Sequence, residues 1–403
     1  MTVWEELVGQ EAVTATLSAA SAAAARLVAG EPVEPGAMTH AWLFSGPPGS
    51  GRSTAARAFA AALQCAEPER VPGADPGCGH CDGCHTALAG THADVEVVSP
   101  EGLSIAVRDA RELVARSARA PSLRRWQVVL VEDADRLTEQ AANALLKAVE
   151  EPPPRGVWLL CVPTPEDLVP TIRSRCRVVR LRTPSAAAVA EVLQRRDGVT
   201  AEVAAWAVRA AGGHVGRARR LAGDPESARR RRDVLRVPQE VTTVGRCYAA
   251  AAALVAASAE EAETEHRGVD EAETAALKEA LGAGGTRGAR AASTAAPRGS
   301  AGALAELERR QRSRGKRGQR DALDRALGDL VAFYRDVLLV QAGAQVPLVH
   351  GDHADAVRDA ARRTTPESTL RRMEAVLACG RAVDASVAPL LAVEEMALAL
   401  RDG

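Results

Sequence analysis

Ala41-Trp42-Leu43-Phe44-Ser45-Gly46-Pro47-Pro48-Gly49-Ser50-Gly51-Arg52-Ser53-Thr54 runs from a short apolar stretch into a glycine loop, then into the Ala-rich segment Thr54 to Leu63. The pattern is strand, loop, helix. The loop is of the kind that cradles phosphate: Gly46, Gly49 and Gly51 let backbone N–H groups converge on phosphate oxygens, and Ser53 or Thr54 offers a hydroxyl to magnesium. The motif needs Lys where Arg52 stands. Arginine keeps the charge but carries it as a planar fork on a longer stem, so it cannot take the same point beside a γ-phosphate without displacing the loop. Arginine is also the default cation of this chain, whose lysines are Lys147, Lys278 and Lys316 against 51 Lys+Arg. Drift to Arg at a catalytic lysine is tolerated only where hydrolysis is dispensable. Both readings lead to a weak or absent ATPase, in a loop that could still hold ATP and Mg2+.

Two further apolar runs follow, Gln127 to Val131, which ends in Glu132-Asp133, and Gly156 to Val162. Continuous apolar strands alternating with helices predict an α/β domain with a parallel sheet covered on both faces. The helix Glu139 to Glu150 starts after Thr138 as N-cap and stops at Pro152-Pro153-Pro154, where the needed N–H donors are missing. After Leu181 the strand signals fade. Pro184 to Leu221 reads as a small helical unit, and the remainder to Gly403 as helical with one interruption. That interruption, about 264–302, is rich in Gly, Ala, Thr and Arg without periodicity and reads as a mobile insertion. Near the C-terminus Val383, Val387, Leu390, Leu391 and Leu398 fall near helical spacing, an apolar face that serves either as core or as an oligomer contact.

With 403 residues, 46% apolar and only 2% aromatic, the chain suits two or three domains with cores of Ala, Val and Leu, a composition that favours helix. The formal net charge is −1. Arginines cluster at Arg217 to Arg236 and Arg309 to Arg320 but are offset elsewhere, so general attraction to nucleic acid is not implied. No apolar run approaches the roughly 20 residues that span a bilayer, and the N-terminus lacks the basic start of a signal peptide. A cytoplasmic protein is expected, without a membrane partner. Its eight cysteines are then thiols or metal ligands rather than disulfides.

Cys65, Cys78, Cys81 and Cys84 form a Cys-x12-Cys-x2-Cys-x2-Cys array among Gly77, Gly79 and Gly83. Four thiolates within twenty residues suit a tetrahedral Zn2+. The plain alternative is a coincidence of cysteines in a loop. A closed four-thiolate site has no open position for substrate, so its role is structural, stapling a loop with little apolar content of its own. His80 and His85 are near enough to compete but are expected to stay outside. Glu132-Asp133 stands where P-loop ATPases place a magnesium-binding Asp followed by a catalytic Glu, here in reversed order. The swap moves each carboxylate by a methylene in chemistry that depends on positioning. As a plain structural feature, an acidic pair at a strand end is a solvated turn. Thr171-Ile172-Arg173-Ser174-Arg175-Cys176 lies between a short helix near Glu166 and the strand Cys176 to Leu181.

The run Ala141-Ala142-Asn143-Ala144-Leu145-Leu146-Lys147-Ala148-Val149-Glu150-Glu151-Pro152-Pro153, with Ser174-Arg175-Cys176 after it and the cysteine insertion before it, resembles bacterial DNA polymerase III clamp-loader subunits. The likeness runs motif by motif from Val8-Gly9-Gln10-Glu11 to about residue 222. It implies an AAA+ module made of a RecA-like domain over 1–182, with the cysteine module at 65–84, and a helical lid over 183–222. A helical collar over 223–403, interrupted at about 264–302, would assemble a hetero-oligomeric ring. Arg175 would be an arginine finger into the ATP site of the neighbouring subunit, a device that supplies orders of magnitude in hydrolysis rate. The implied partners are gamma/tau and delta subunits, the beta sliding clamp, and primed DNA within the ring.

The motor subunits of that family, gamma or tau, carry a P-loop Lys, an Asp-Glu pair, a polar sensor residue after the third strand and a sensor arginine in the lid. Here the same places hold Arg52, Glu132-Asp133, Val162-Pro163 and a glycine within Gly213-His214-Val215-Gly216. These departures side with the delta-prime branch, a stator that keeps the finger and lacks its own turnover during clamp loading in replication. The alternative is a gamma/tau-like motor that binds and slowly hydrolyses ATP, favoured by the intact glycines and Ser53.

Overall fold

All five residues of Ala41–Ser45 (β1) are buried, which is what a strand with sheet neighbours and helices on both faces requires. It pairs in parallel with Gly156–Val162 (β4) on one side and Arg177–Arg180 (β5) on the other, in the registers Ala41↔Trp158 and Trp42↔Arg177. With Val95–Val98 (β2) and Gln127–Val131 (β3) the sheet has the order β2-β3-β4-β1-β5, parallel throughout. This is the expected α/β arrangement with a parallel sheet. The computed structural model describes residues 2–71, 74–100, 104–123, 125–280 and 300–403, and the chain divides into two units, Met1–Gly223 and Asp224–Gly403.

Period-two alternation splits the sheet's side chains between two cores. Trp42, Phe44, Val128, Leu130 and Leu159 face Glu11–Val28 (α1) and Arg52–Leu63 (α2), where Trp42 meets Phe59 edge-on at 5.0 Å. Leu43, Val129, Val131, Trp158 and Leu160 face the helices Val107–Ser117 and Glu139–Glu150. The latter helix opens as the sequence indicates, with Thr138 Oγ1 accepting from Ala141 N. Strand β2 is not legible as a strand: it is four residues long with Glu96 in its middle, and its pairing with β3 alone makes it one. Near Glu166 the expected helix is a 3-10 turn, Pro165–Asp167, followed by Pro170–Arg173.

Three helices, Ala186–Asp197, Ala201–Ala210 and Val215–Gly223, complete the first unit as a small helical subdomain with a core of its own, in which Val189, Leu193, Ala204 and Ala207 are fully buried.

The second unit is all helix around Phe333, Leu330, Val337 and Val393. Two long helices, Val244–Ala280 and Ser300–Gln341, run antiparallel, with Arg314 bonded to Asp270 and Glu273 and Arg325 to Glu261. The expected unstructured insertion at 264–302 is therefore corrected at both ends, since residues 264–280 continue the first helix and 300–302 begin the second; residues 281–299 lie outside the described residues. A run with little apolar periodicity is held helical by cross-helix ion pairs and by Gln311 donating to the Asp270 carbonyl. The C-terminal apolar face divides: Val383 is core, Leu398 packs partly against it, and Val387, Leu390 and Leu391 are exposed. Among the described residues no helix is long and apolar enough to cross a membrane.

Candidate functional site

The glycine loop sits at the C-terminal end of β1, where parallel sheets leave a crevice for ligands. Gly49 and Gly51 hold φ of +84° and +91°, left-handed conformations that suit glycine, and Gly51 is the residue from which α2 starts. The two glycines thus take backbone conformations that residues with side chains rarely adopt. Around the loop lies a cleft of ≈ 340 Å³ whose floor is Gly49 to Thr54 and whose walls come from Glu6 to Val8 and from His214 and Arg219 of the three-helix subdomain.

Arg52 does not reach out from this floor. Its Nη1 donates to the Gly46 carbonyl at 2.5 Å, folding the guanidinium back onto its own loop. A lysine ammonium has no planar fork to lie along the loop in this way. His214 packs so closely on the crown of the loop that a Cβ at Gly49 would stand 2.5 Å from its Cγ. The arginines that line the cleft from the three-helix subdomain are engaged too: Arg219 makes a two-pronged pair with Asp197 at 2.8 and 2.9 Å, and Arg196 pairs with Glu6. Gln10, 5% exposed, ties the loop to the segment after β5 by donating from Nε2 to the carbonyls of Ser50 and Arg182, while its Oε1 accepts from Arg182 N.

Glu132 and Asp133 follow β3 beside the loop but do not line the cleft. Glu132 is held on both oxygens, by Arg57 Nε at 3.0 Å and by the Ser99 hydroxyl. Asp133 takes a left-handed φ of 51° and leads into the 3-10 turn Ala134–Arg136. Cys161, buried on β4, feels this group: burial first, then the Glu132 carboxylate, push its thiol up, while Arg52 and a hydrogen bond from Ser53 oppose. Asp135 is a third carboxylate here, its pKa raised chiefly by burial. The sequence flags neither Arg57 nor Asp135, because nothing in a helix interior or a turn marks a partner lying across the fold.

The four cysteines Cys65, Cys78, Cys81 and Cys84 come together with their sulfurs all within 4.8 Å of one another, none in a disulfide. Cys65 and Cys81 Sγ are 3.9 Å apart, against about 3.8 Å along the edge of a tetrahedron with 2.3 Å zinc–sulfur bonds. The set could hold a metal ion such as zinc. The Cys84 thiol draws the Cys65 pKa down to about 4, against burial, and backbone N–H groups help; the same interaction pushes Cys84 up. Gly83 lets the helix Asp82–Leu88 approach α2, since a Cβ there would stand 2.1 Å from the Gln64 carbonyl oxygen. His80 instead shares a second, more exposed cluster with Cys78 and Glu67; His85 joins neither.

Arg175 lies on the surface after the short helix Pro170–Arg173, donating from Nη2 to Glu150 Oε1 and from Nη1 to the Thr171 carbonyl, each at 2.8 Å. Its cysteine neighbour Cys176 points inward, and burial pushes that thiol up to about 12.

Residues 26–185, which hold the glycine loop, the cysteine cluster and Arg175, match the family model described as DNA polymerase III, delta subunit. This part of the chain is thus similar to subunits of DNA polymerase III. The delta' subunit of Pseudomonas aeruginosa is 41% identical over 158 residues, 39% of this chain and 47% of its own length. That of Escherichia coli is 36% identical over 193 residues, 47% and 57% of the two chains. The gamma/tau subunit of Mycobacterium tuberculosis is 36% identical over 214 residues, 52% of this chain and 34% of its own. The chain thus spans between about a third and somewhat over half of these relatives' lengths. The similarity therefore extends to subunits of both names, delta' and gamma/tau.

Proposed function

We propose that the chain is a delta-prime-type clamp-loader subunit: a stator that performs no rapid hydrolysis itself and presents Arg175 to the nucleotide of a neighbouring subunit. The observation that carries this is the 2.5 Å bond from Arg52 to the Gly46 carbonyl, which ties up the cation that a working loop aims at the γ-phosphate. Glu132, at the magnesium-binding place of the acidic pair, has both oxygens held by Arg57 and Ser99, which supports the same reading, since a working site needs a carboxylate there to hold the metal. Arg175 remains about a third exposed and reaches its partners only through surface contacts. In this reading the four cysteines hold a structural Zn2+, and residues 183–222 and 223–403 act as lid and collar. The partners are gamma/tau and delta subunits, the beta clamp and primed DNA, in a cytoplasmic hetero-oligomer.

A gamma/tau-like motor is the second reading, favoured by the retained loop geometry at Gly49 and Gly51 and by the gamma/tau relative aligned over 52% of the chain. The two separate in one experiment on the isolated protein: binding of a fluorescent ATP analogue with phosphate release followed in the same sample. Absence of release supports the stator. Release abolished by Ser53→Ala makes the chain a motor.

A further inference from the structure

Residues 2–10 form a strap across the first unit, fixed at successive points to three different parts of it. At its start, Val3 N–H donates to the Gly77 carbonyl at 2.9 Å. Gly77 directly precedes Cys78, holds φ at +98° and leaves no room for a side chain, because a Cβ would stand 2.8 Å from Val3 Cγ2 and 3.0 Å from Trp4 Nε1. Val3 and Leu7 share one buried core with Cys65, Cys81 and Cys84. In the middle, Glu6, Leu7 and Val8 form a wall of the glycine-loop cleft. Glu6 pairs with Arg196 of the lid, Val8 enters the lid core beside Val189 and Leu193, and Gly9 packs on Pro184. At the far end Gln10 bridges Ser50 of the loop and Arg182 at the entrance to the lid.

The cysteine loop on which the strap rests has few apolar side chains, Ala74-Asp75-Pro76-Gly77-Cys78-Gly79-His80. Packing alone fixes such a segment weakly, whereas a metal bound by four thiolates fixes it firmly. We propose that the metal held by Cys65, Cys78, Cys81 and Cys84 sets the position of the strap Val3–Gln10 and, through it, holds the lid closed on the glycine loop. The metal centre is then a brace for the lid as well as a local staple. This rests on the zinc reading above, and the test separates the two.

Hydrogen exchange of the full chain is followed in peptides covering residues 2–10 and 186–223, with zinc bound and after its removal by a chelator. Metal content is measured on the same samples. Both regions should exchange at least roughly tenfold faster once zinc is lost, as local opening replaces closed packing. Peptides from the helix Glu139–Glu150, on the other face of the sheet, should change little. Gly77→Ala, which keeps all four cysteines, should loosen the lid with zinc still bound. Gln10→Ala should loosen the lid while residues 2–6 stay protected. Zinc loss that leaves 186–223 as protected as before overturns the coupling, as does a lid unaffected by either substitution. Wild-type protein that contains no zinc and takes none up overturns the metal reading, and the brace with it.

Discussion

Arg175 reaches back across one turn and one helix end at once, its Nη2 2.8 Å from Glu150 Oε1 and its Nη1 2.8 Å from the Thr171 carbonyl oxygen. Glu150 is the last residue of the helix Glu139–Glu150, so the run that begins at Ala141 and the Ser174-Arg175-Cys176 segment meet in this one ion pair. The pair is solvent-exposed on both sides, and such pairs contribute at most about 1 kcal/mol. Arg175→Ala should therefore leave thermal unfolding nearly unchanged. In a complex reconstituted with motor subunits it should lower ATPase activity at least roughly tenfold, because a missing finger leaves transition-state charge uncompensated. Arg175→Lys should not restore the rate, a point charge being unable to replace the fork. Unchanged activity of the Ala variant would remove the finger assignment.

Restoring the motif's lysine should not restore a motor. Arg52→Lys frees the Gly46 carbonyl, yet Glu132 stays held by Arg57 and Ser99, and His214 stays packed on Gly49. The expected result is no measurable phosphate release by the isolated variant. Turnover appearing in Arg52→Lys alone would show that one residue had silenced an otherwise working site, and the stator reading would then rest on drift at a single codon.

Zinc content offers an independent check on the cysteine cluster. Wild-type protein should carry about one zinc per chain, as a four-thiolate site implies, and Cys81→Ser should lose most of it. Since Cys81 is buried beside Cys65, the variant should also unfold at lower temperature. A wild-type protein free of zinc by metal analysis sinks the assignment.

How much of this was legible depends on whether the deciding contact is local. Strands β1, β3 and β4 were readable because each is an apolar run buried on both faces, and the glycine loop because Gly49 and Gly51 answer a backbone need visible in four neighbouring residues. The cysteine cluster was readable from spacing. What stayed hidden is held together across the chain: β2 exists through its pairing with β3, Glu132 is engaged by residues 75 and 33 positions away, and His214 meets Gly49 from the lid. The helix Val244–Ala280 hid for the same reason, since Arg314 and Gln311 steady its polar end from the partner helix.

The second unit carries a pH dependence that follows from one tautomer. His350 is fully buried, and its Nδ1 lies 2.5 Å from Arg231 Nη2. Arginine can only donate, so Nδ1 is the unprotonated nitrogen and Nε2–H donates to the Asp329 carbonyl at 3.1 Å. Burial first, then the Arg231 charge, push the His350 pKa down to about 4. Burial lowers that of His353 as well. Between pH 6.5 and 4 the unfolded chain takes up a proton at residue 350 that the folded unit refuses. Stability is therefore full above pH 6.5 and declines as pH falls to about 4, by up to about 3 kcal/mol for this group. All five tryptophans lie before residue 224, so tryptophan fluorescence follows the first unit while far-UV circular dichroism also registers the helical second one. Urea unfolding at pH 7, 6 and 5 should show the non-fluorescent transition moving to lower urea as the pH drops. His350→Gln should flatten most of that slope while lowering stability at pH 7, and an unchanged slope in the variant would assign the acid sensitivity to other groups.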